Sequence, residues 1–373
     1  MDLKKSGTRG KKKEYMKINK ILIEKGSESY NQTRNILKRL NNVPIEKVSE
    51  DHSSQSRTLD KDTLRLLSFK GEFLKPCPGT KSYICCGYQI LNGGTNCPLD
   101  CSYCILQTYF NQPSLRVFVN LEEEISHIIS KIDKQPEKIF RIGTGEFMDS
   151  LALDSITGWS DIICDTFSKR KNCILELKTK TDNIKRIITS SVRERIIVSW
   201  SLNSPYITSR EEKGAPSIQK RLKAAKKCQE EGFIVGFHFD PLIFHPDWKE
   251  GYRRTIDYMD KYIDPEKVIW ISMGCLRYMP SLKKIIRERH PETEILNNEF
   301  IRGLDGKMRY FKPLRIEFYS FMRDMIESWA GINPGLYLCM ESDEIWQKSL
   351  GWSPEDSNGL SKYLDNRVKF FFN

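Results

Sequence analysis

Long hydrophobic runs are missing from this chain of 373 residues, although 39% of them are hydrophobic. No apolar stretch approaches the roughly 20 residues that span a bilayer, which argues against a helical membrane protein. The opening residues, Met1-Asp2-Leu3-Lys4-Lys5, have no apolar core behind their charges and do not read as a secretory signal. Acidic residues are scarce at the start. Residues 1–40 hold twelve Lys/Arg against four Asp/Glu, a net of +8, which leaves only +3 of the chain's +11 for the rest. The basic character therefore belongs to an N-terminal arm containing Lys11-Lys12-Lys13. Such arms neutralise phosphates or stay solvated.

Cysteine is plentiful. Eleven cysteines in a chain read as unexported favour a reducing, cytoplasmic setting, and metal over disulfides. Three of them, Cys97, Cys101 and Cys104, lie in one loop with C-x3-C-x2-C spacing. Four thiolates usually hold an iron–sulfur cluster, so three with no fourth beside them suggest a cubane with one open iron. Zinc and buried apolar thiols are the alternatives, but zinc prefers distant C-x2-C pairs and four protein ligands. The triplet, with Tyr103 before its last cysteine, resembles the signature of radical S-adenosylmethionine (SAM) enzymes.

Short apolar runs alternate with amphipathic stretches from Gln89 onward, the mark of a parallel α/β sheet. Strands are expected at Gln89–Asn92, Lys138–Ile142, Ile174–Lys178, Ile196–Ser201, Phe233–Phe239 and Val268–Met273. Helices are expected near Leu121–Asp133, Leu153–Ser168, Asn183–Ser190, Ser217–Glu231, Trp248–Tyr262 and Leu282–Arg289. Six such units fit a partial (β/α)6 TIM-type barrel or a doubly wound sheet, and the cysteine loop after the first strand favours the barrel. The expected organisation is a disordered basic arm (1–15), an N-terminal α/β extension with a cysteine-containing loop (16–88), the barrel (89–290), and a C-terminal hairpin and helical region (291–373). Residues 49–60 read as a polar loop.

Active sites of βα barrels lie at the C-terminal strand ends. Polar groups follow each expected strand: Gly143-Thr144-Gly145-Glu146, then Lys180, then Ser201 and Asn203, then Asp240, then Gly274-Cys275-Leu276-Arg277. The first group resembles the radical SAM segment in which backbone and an acid hold the SAM ammonium. Lys180 could meet the SAM carboxylate, Ser201 and Asn203 the same end or the ribose, and Tyr103 the adenine.

Several segments resemble the spore photoproduct lyase family and its non-spore relatives. They include Tyr103-Cys104-Ile105-Leu106-Gln107-Thr108, Val119-Asn120-Leu121-Glu122-Glu123, Gly236-Phe237-His238-Phe239-Asp240-Pro241 and His245-Pro246-Asp247-Trp248-Lys249-Glu250-Gly251-Tyr252, in order from about residue 18 to 320. The resemblance implies a partial barrel, one [4Fe–4S] cluster, SAM, and an external one-electron reductant such as flavodoxin or ferredoxin. It also implies a 5′-deoxyadenosyl radical that takes hydrogen from nucleic acid (DNA), a cysteine and tyrosine that return hydrogen, and a hairpin that wedges into the duplex. Aligned on Asp149 and Asp154, this chain has Glu146 where the family's donor cysteine stands, and Ile105 replaces the tyrosine after the third cluster cysteine. Cys275 and Tyr109 are the candidate substitutes. The chain is thus expected to be a non-spore relative with another target, DNA repair or modification being the implied role. Asp305-Gly306 marks a turn, with Arg309, Tyr310 and Phe311 as candidate nucleic-acid contacts. Cys77, Cys85, Cys86 and Cys339 are candidates for a second Fe–S cluster, while Cys164, Cys173 and Cys228 read as core. A monomer is expected. The competing readings are a radical SAM enzyme on a peptide or small molecule, and a non-catalytic iron–sulfur module that binds nucleic acid.

Overall fold

A computed structural model describes residues 17–49, 60–80, 82–331 and 334–372. The expected basic arm, 1–15, lies outside the described residues. The main sheet has eight strands: β1 (Leu74–Pro76), β2 (Gln89–Leu91), β3 (Phe140–Gly143), β4 (Cys173–Thr179), β5 (Ile196–Ser201), β6 (Ile234–Leu242), β7 (Val268–Cys275) and β8 (Leu336–Leu338). Their spatial order is their chain order. β1 runs antiparallel to β2, and every pairing from β2 to β8 is parallel. A doubly wound sheet reverses its strand order at a switch point. This sheet has no reversal, so it is the curled half-barrel.

The strands read apolar because they are buried on both faces. All six residues of β5 and all eight of β7 are buried. Helices between strands bury a single stripe. Helix Trp248–Tyr262 hides Trp248, Tyr252, Thr255, Ile256 and Met259, at helical spacing. Cys164, Cys173 and Cys228 are buried in the core, as expected.

Two features depart from expectation. First, β8 adds a seventh parallel strand beyond Met273, arriving from the C-terminal region and pairing Ile271–Met273 with Leu336–Leu338. Second, Asp60–Leu67, which starts at the last residue of the expected polar loop, forms a strand. It joins Lys20–Glu24, Ile45–Val48, Ser114–Phe118 and Gly94–Thr95 in a second sheet, so the N-terminal extension draws on residues well past 88. The Asp305-Gly306 turn does link an antiparallel pair, Phe300–Arg302 and Met308–Tyr310, with Arg277–Tyr278 on the far side. Among the described residues no helix is long and apolar enough to cross a membrane.

Candidate active site

The cysteine loop leaves the second sheet through Asn96, whose φ of 67° falls in the left-handed region that asparagine tolerates. Its side-chain amide donates to the carbonyls of Gln112 and Ser114 at 2.8 and 2.7 Å and fixes this entry. Asp100–Cys101 pairs antiparallel with Glu212–Lys213. Asp100 accepts hydrogen bonds from Lys61 at 2.9 Å and Arg289 at 2.8 Å. Gln107 Nε2 donates to the carbonyls of Cys101, Ser102 and Cys104 at 3.3, 2.9 and 3.2 Å. The loop is therefore braced by its own fold.

Cys97, Cys101 and Cys104 all face one cavity of about 470 Å³ at the C-terminal strand ends. All eleven cysteines are free thiols. Burial, then the Asp149 carboxylate, pushes the Cys97 thiol up to about 12. Among the described residues no three His, Cys, Asp or Glu side chains form a ready cage for one ion. A cubane does not ask for one, because each thiolate binds a different iron. Three thiols on a braced loop, opening into a shared cavity, fit such a cluster.

The same wall fits SAM in part. Lys180 lines the cavity, and among the described residues no carboxylate lies within ion-pairing distance of its ammonium. Its backbone N–H donates to Asp149 Oδ2 at 2.7 Å, and Asp149 Oδ1 accepts from Thr179, Leu151 and Ala152. The ammonium lies 5.9 Å from the Tyr103 ring, whose hydroxyl donates to Glu212. Ser201 also lines the cavity. Glu146 lines it too, but Lys178 holds Oε1 at 2.7 Å. Burial, the largest single influence, would depress the Lys178 ammonium, yet Glu146, Tyr88 and Glu176 together overcome burial and raise it.

Other candidates are placed differently. Asn203 does not reach the cavity. It is 1% exposed and fully used: its amide donates to Pro241 O, and its oxygen accepts from Ser204 N and Tyr252. Gly143 serves packing, since a Cβ there would fall 1.6 Å from the Tyr88 hydroxyl. Gly145 does line the cavity and lies close over Lys178. Asp240 lines it while held by Arg277 in a two-pronged pair at 3.1 and 3.0 Å. Cys275 sits behind the wall, 2% exposed, and is not a cavity thiol. Tyr109 does open onto the cavity.

Arg309 and Tyr310 are corrected outright as exposed nucleic-acid contacts. Both are buried: Arg309 pairs with Asp305 at 2.7 Å and covers the Tyr83 ring at 4.2 Å, and Tyr310 receives the Phe244 N–H at 3.1 Å. Phe311 alone of the three is exposed. Three of the four extra cysteines share the cluster cavity, and Cys85 is near enough to act electrostatically on Cys86 and Cys339. Cys77, Cys86 and Cys339 line the cavity, Cys85 lies 3.6 Å from Thr80 O, and Cys339 accepts from Arg277 at 3.3 Å.

The sequence reading missed the cavity floor. Glu176 on β4 accepts from Ser199 on β5, contacts His238 on β6 at 2.8 Å and accepts from Trp270 on β7 at 2.9 Å. His238 Nδ1 meets Ser272 at 2.6 Å. Burial pushes the Glu176 carboxyl upward, but His238 and its neighbours overcome this and hold it at about 2. Tyr88 closes the floor, its buried hydroxyl without a hydrogen-bond partner among the described residues.

A family model described as spore photoproduct lyase matches residues 80–315. The chain belongs to the spore photoproduct lyase family. Spore photoproduct lyase of Bacillus subtilis (strain 168) is 25% identical over 235 residues, which cover 62% of this chain and 67% of that protein. The lyase of Geobacillus sp. (strain Y412MC61) is 24% identical over 221 residues, covering 58% and 63%. The aligned part thus spans about two thirds or less of these lyases. A solved double variant of spore photoproduct lyase, with bound AdoMet and dinucleoside spore photoproduct, matches with a TM-score of 0.76 at 20% identity, over 88% of this chain and all of that one. Spore photoproduct lyase complexed with dinucleoside spore photoproduct matches at 0.74 and 21%, over 86% and 97%. These structural likenesses show the lyase fold. With the family established, the chain is a radical SAM enzyme of lyase type, and the non-catalytic reading is set aside.

Proposed function

We propose that this lyase-family enzyme acts on a nucleic-acid target other than the thymine lesion, as a relative that has moved its hydrogen donor. Cys97, Cys101 and Cys104 would hold the cluster, and Lys180, Ser201 and Tyr103 would grip SAM on the open iron. Bound there, the pair supplies a carbon-centred radical by one-electron cleavage of SAM. The protein's own residues orient the substrate and keep water out of the cavity. The observation that carries the changed target is the Glu146–Lys178 ion pair at 2.7 Å, which occupies the wall where the family's donor cysteine is expected.

A donor must face the substrate and keep its hydrogen. Cys275 fails the first condition. Cys77 meets both: it lines the cavity, and burial followed by the Glu146 carboxylate pushes its thiol up to about 12. Tyr109 lines the same cavity, and its phenol is raised by burial and then by Cys77 and Glu146. Cys77 with Tyr109 is therefore the hydrogen-return pair of this reading. Anaerobic reconstitution with dithionite and SAM tests its first half, with 5′-deoxyadenosine expected. Its absence with the cluster loaded would sink the reading. Turnover in D2O tests the second half: deuterium should enter the product from the intact enzyme and fall in Cys77→Ala.

A further inference from the structure

The second sheet has a cavity of its own, about 460 Å³, which the chemistry above does not use. Its position follows from topology. Lys20–Glu24 pairs in parallel with Ile45–Val48 on one side and Asp60–Leu67 on the other, and Ser114–Phe118 continues the sheet in parallel. The chain thus turns one way from its first strand and then the other. In open parallel sheets, ligands bind beyond the C-terminal strand ends at such a switch point. Glu24 and Leu67, the last residues of the two strands that flank it, line this cavity.

The lining has two chemistries. Lys70, Lys75 and Arg116 bring positive charge. The acidic Glu24 is already neutralised by Arg65 at 2.7 Å. Phe69, Phe110, Phe118 and Phe147 bring rings. Phe69 stacks on Phe118 at 4.2 Å between centroids, and Phe110 meets Phe147 edge-on at 6.0 Å. Thr95 adds a separate sign of a ligand. It is 6% exposed, it lines the cavity, and among the described residues its hydroxyl has no hydrogen-bond partner. Buried hydroxyls are normally satisfied. Thr95 also faces Arg116 across the strand pair, so an orphan hydroxyl and a guanidinium share one wall.

Phe147 lines this cavity and the cluster cavity alike, and Phe110 directly follows Tyr109 of the cluster cavity. The two spaces therefore adjoin across one aromatic wall. Cations beside accessible rings are how proteins hold single strands, by phosphate neutralisation and base stacking; here Phe69, Phe110 and Phe147 are half-buried, whereas Phe118 is buried behind Phe69. We infer that this cavity is a strand-binding subsite, which takes a phosphate and a base of a single-stranded segment flanking the target nucleotide. The inference rests on the nucleic-acid reading of the cluster cavity.

The test uses the full chain, reconstituted with cluster and SAM, and fluorescein-labelled dT2 and dT6 read by anisotropy. The dinucleotide fills the cluster cavity alone, whereas the hexanucleotide reaches past Phe147. The expected result is tighter binding of dT6 than of dT2. Lys75→Glu with Phe110→Ala should weaken dT6 about tenfold, in line with losing one stack and one phosphate contact, and leave dT2 within about twofold. Thr95→Val, nearly isosteric, should weaken dT6 in the same direction and guards against misfolding of the double variant. Photo-crosslinking of iododeoxyuridine-labelled dT6 should map to the peptides holding Phe110 and Phe147. Wild-type affinity for dT6 that both variants leave unchanged, or equal losses for dT2 and dT6, would overturn the subsite alone. No binding of either oligonucleotide would overturn the nucleic-acid reading and the subsite with it. Displacement of dT6 by a phosphopeptide but not by unlabelled dT6 would assign the cavity to a protein ligand and overturn the inference.

Discussion

Lys180 and Glu146 both lie on the cavity wall, yet their surroundings differ. Glu146 already has a cation at 2.7 Å, whereas among the described residues Lys180 feels Glu212 and Asp149 only at a distance, with no carboxylate in ion-pairing contact. Lys180→Ala should therefore lower SAM affinity by one to two powers of ten, about 1.5–3 kcal/mol for a charged hydrogen bond, with iron content unchanged. Calorimetry on the reconstituted protein reads the first and iron analysis the second. Glu176 sets a pH window. Its carboxyl sits at about 2 against an ordinary 4.5. A depressed folded value contributes stability above the ordinary one and loses it as pH falls toward the folded one. Urea melts should therefore show stability lost between pH 4.5 and about 2, with a flatter profile in Glu176→Gln across that window. Legibility at this scale tracked chain neighbours. The cysteine triplet is local and was readable. Glu176, His238 and Trp270 lie on separate strands, so only the sheet's register brings them together. Arg309 and Tyr310 were misread because a turn signal says nothing about which face of the hairpin is covered.

The elements explain two glycines and one hairpin. Gly143 ends β3 against Tyr88, and a methyl there would meet the ring's hydroxyl at 1.6 Å. Gly143→Ala should cost about 1–3 kcal/mol through overpacking, seen as a lower melting temperature. Gly145 passes over Lys178 less tightly, a Cβ there falling 2.8 Å from the Lys178 Cβ. Arg309→Ala should act as a stability variant, because it strips a buried partner from Asp305. A loss of about 1.5–3 kcal/mol is expected, since Lys307 still lies 3.6 Å from Asp305, and denaturant titration measures it. A stable variant that lost only nucleic-acid affinity would restore Arg309 as a contact residue. Strand positions were legible because β5 and β7 are short, mostly apolar runs set between amphipathic stretches. β8 was not: Leu336-Tyr337-Leu338 is too short to show any period, and its place comes from pairing with β7.

At the scale of the whole molecule, two largely parallel sheets each open a cavity at their C-terminal ends, and Phe147 borders both. The barrel half was readable from its strand–helix alternation. The first two strands of the second sheet, Lys20–Glu24 and Ile45–Val48, lie in the expected N-terminal α/β extension; its other three were hidden because they reach to residue 118 and interleave with the start of the barrel. This arrangement sets the proposed radical chemistry beside a basic, ring-lined cavity, in keeping with the proposed nucleic-acid target, which itself rests on the family membership. The most direct test is isotope transfer. The reconstituted enzyme would be given dithionite, SAM and deuterated oligonucleotides, intact and ultraviolet-damaged, and its 5′-deoxyadenosine examined by mass spectrometry. The account predicts deuterium in 5′-deoxyadenosine with at least one oligonucleotide. Abundant 5′-deoxyadenosine that stays unlabelled with every oligonucleotide, yet gains deuterium from a deuterated peptide or small molecule, would contradict it.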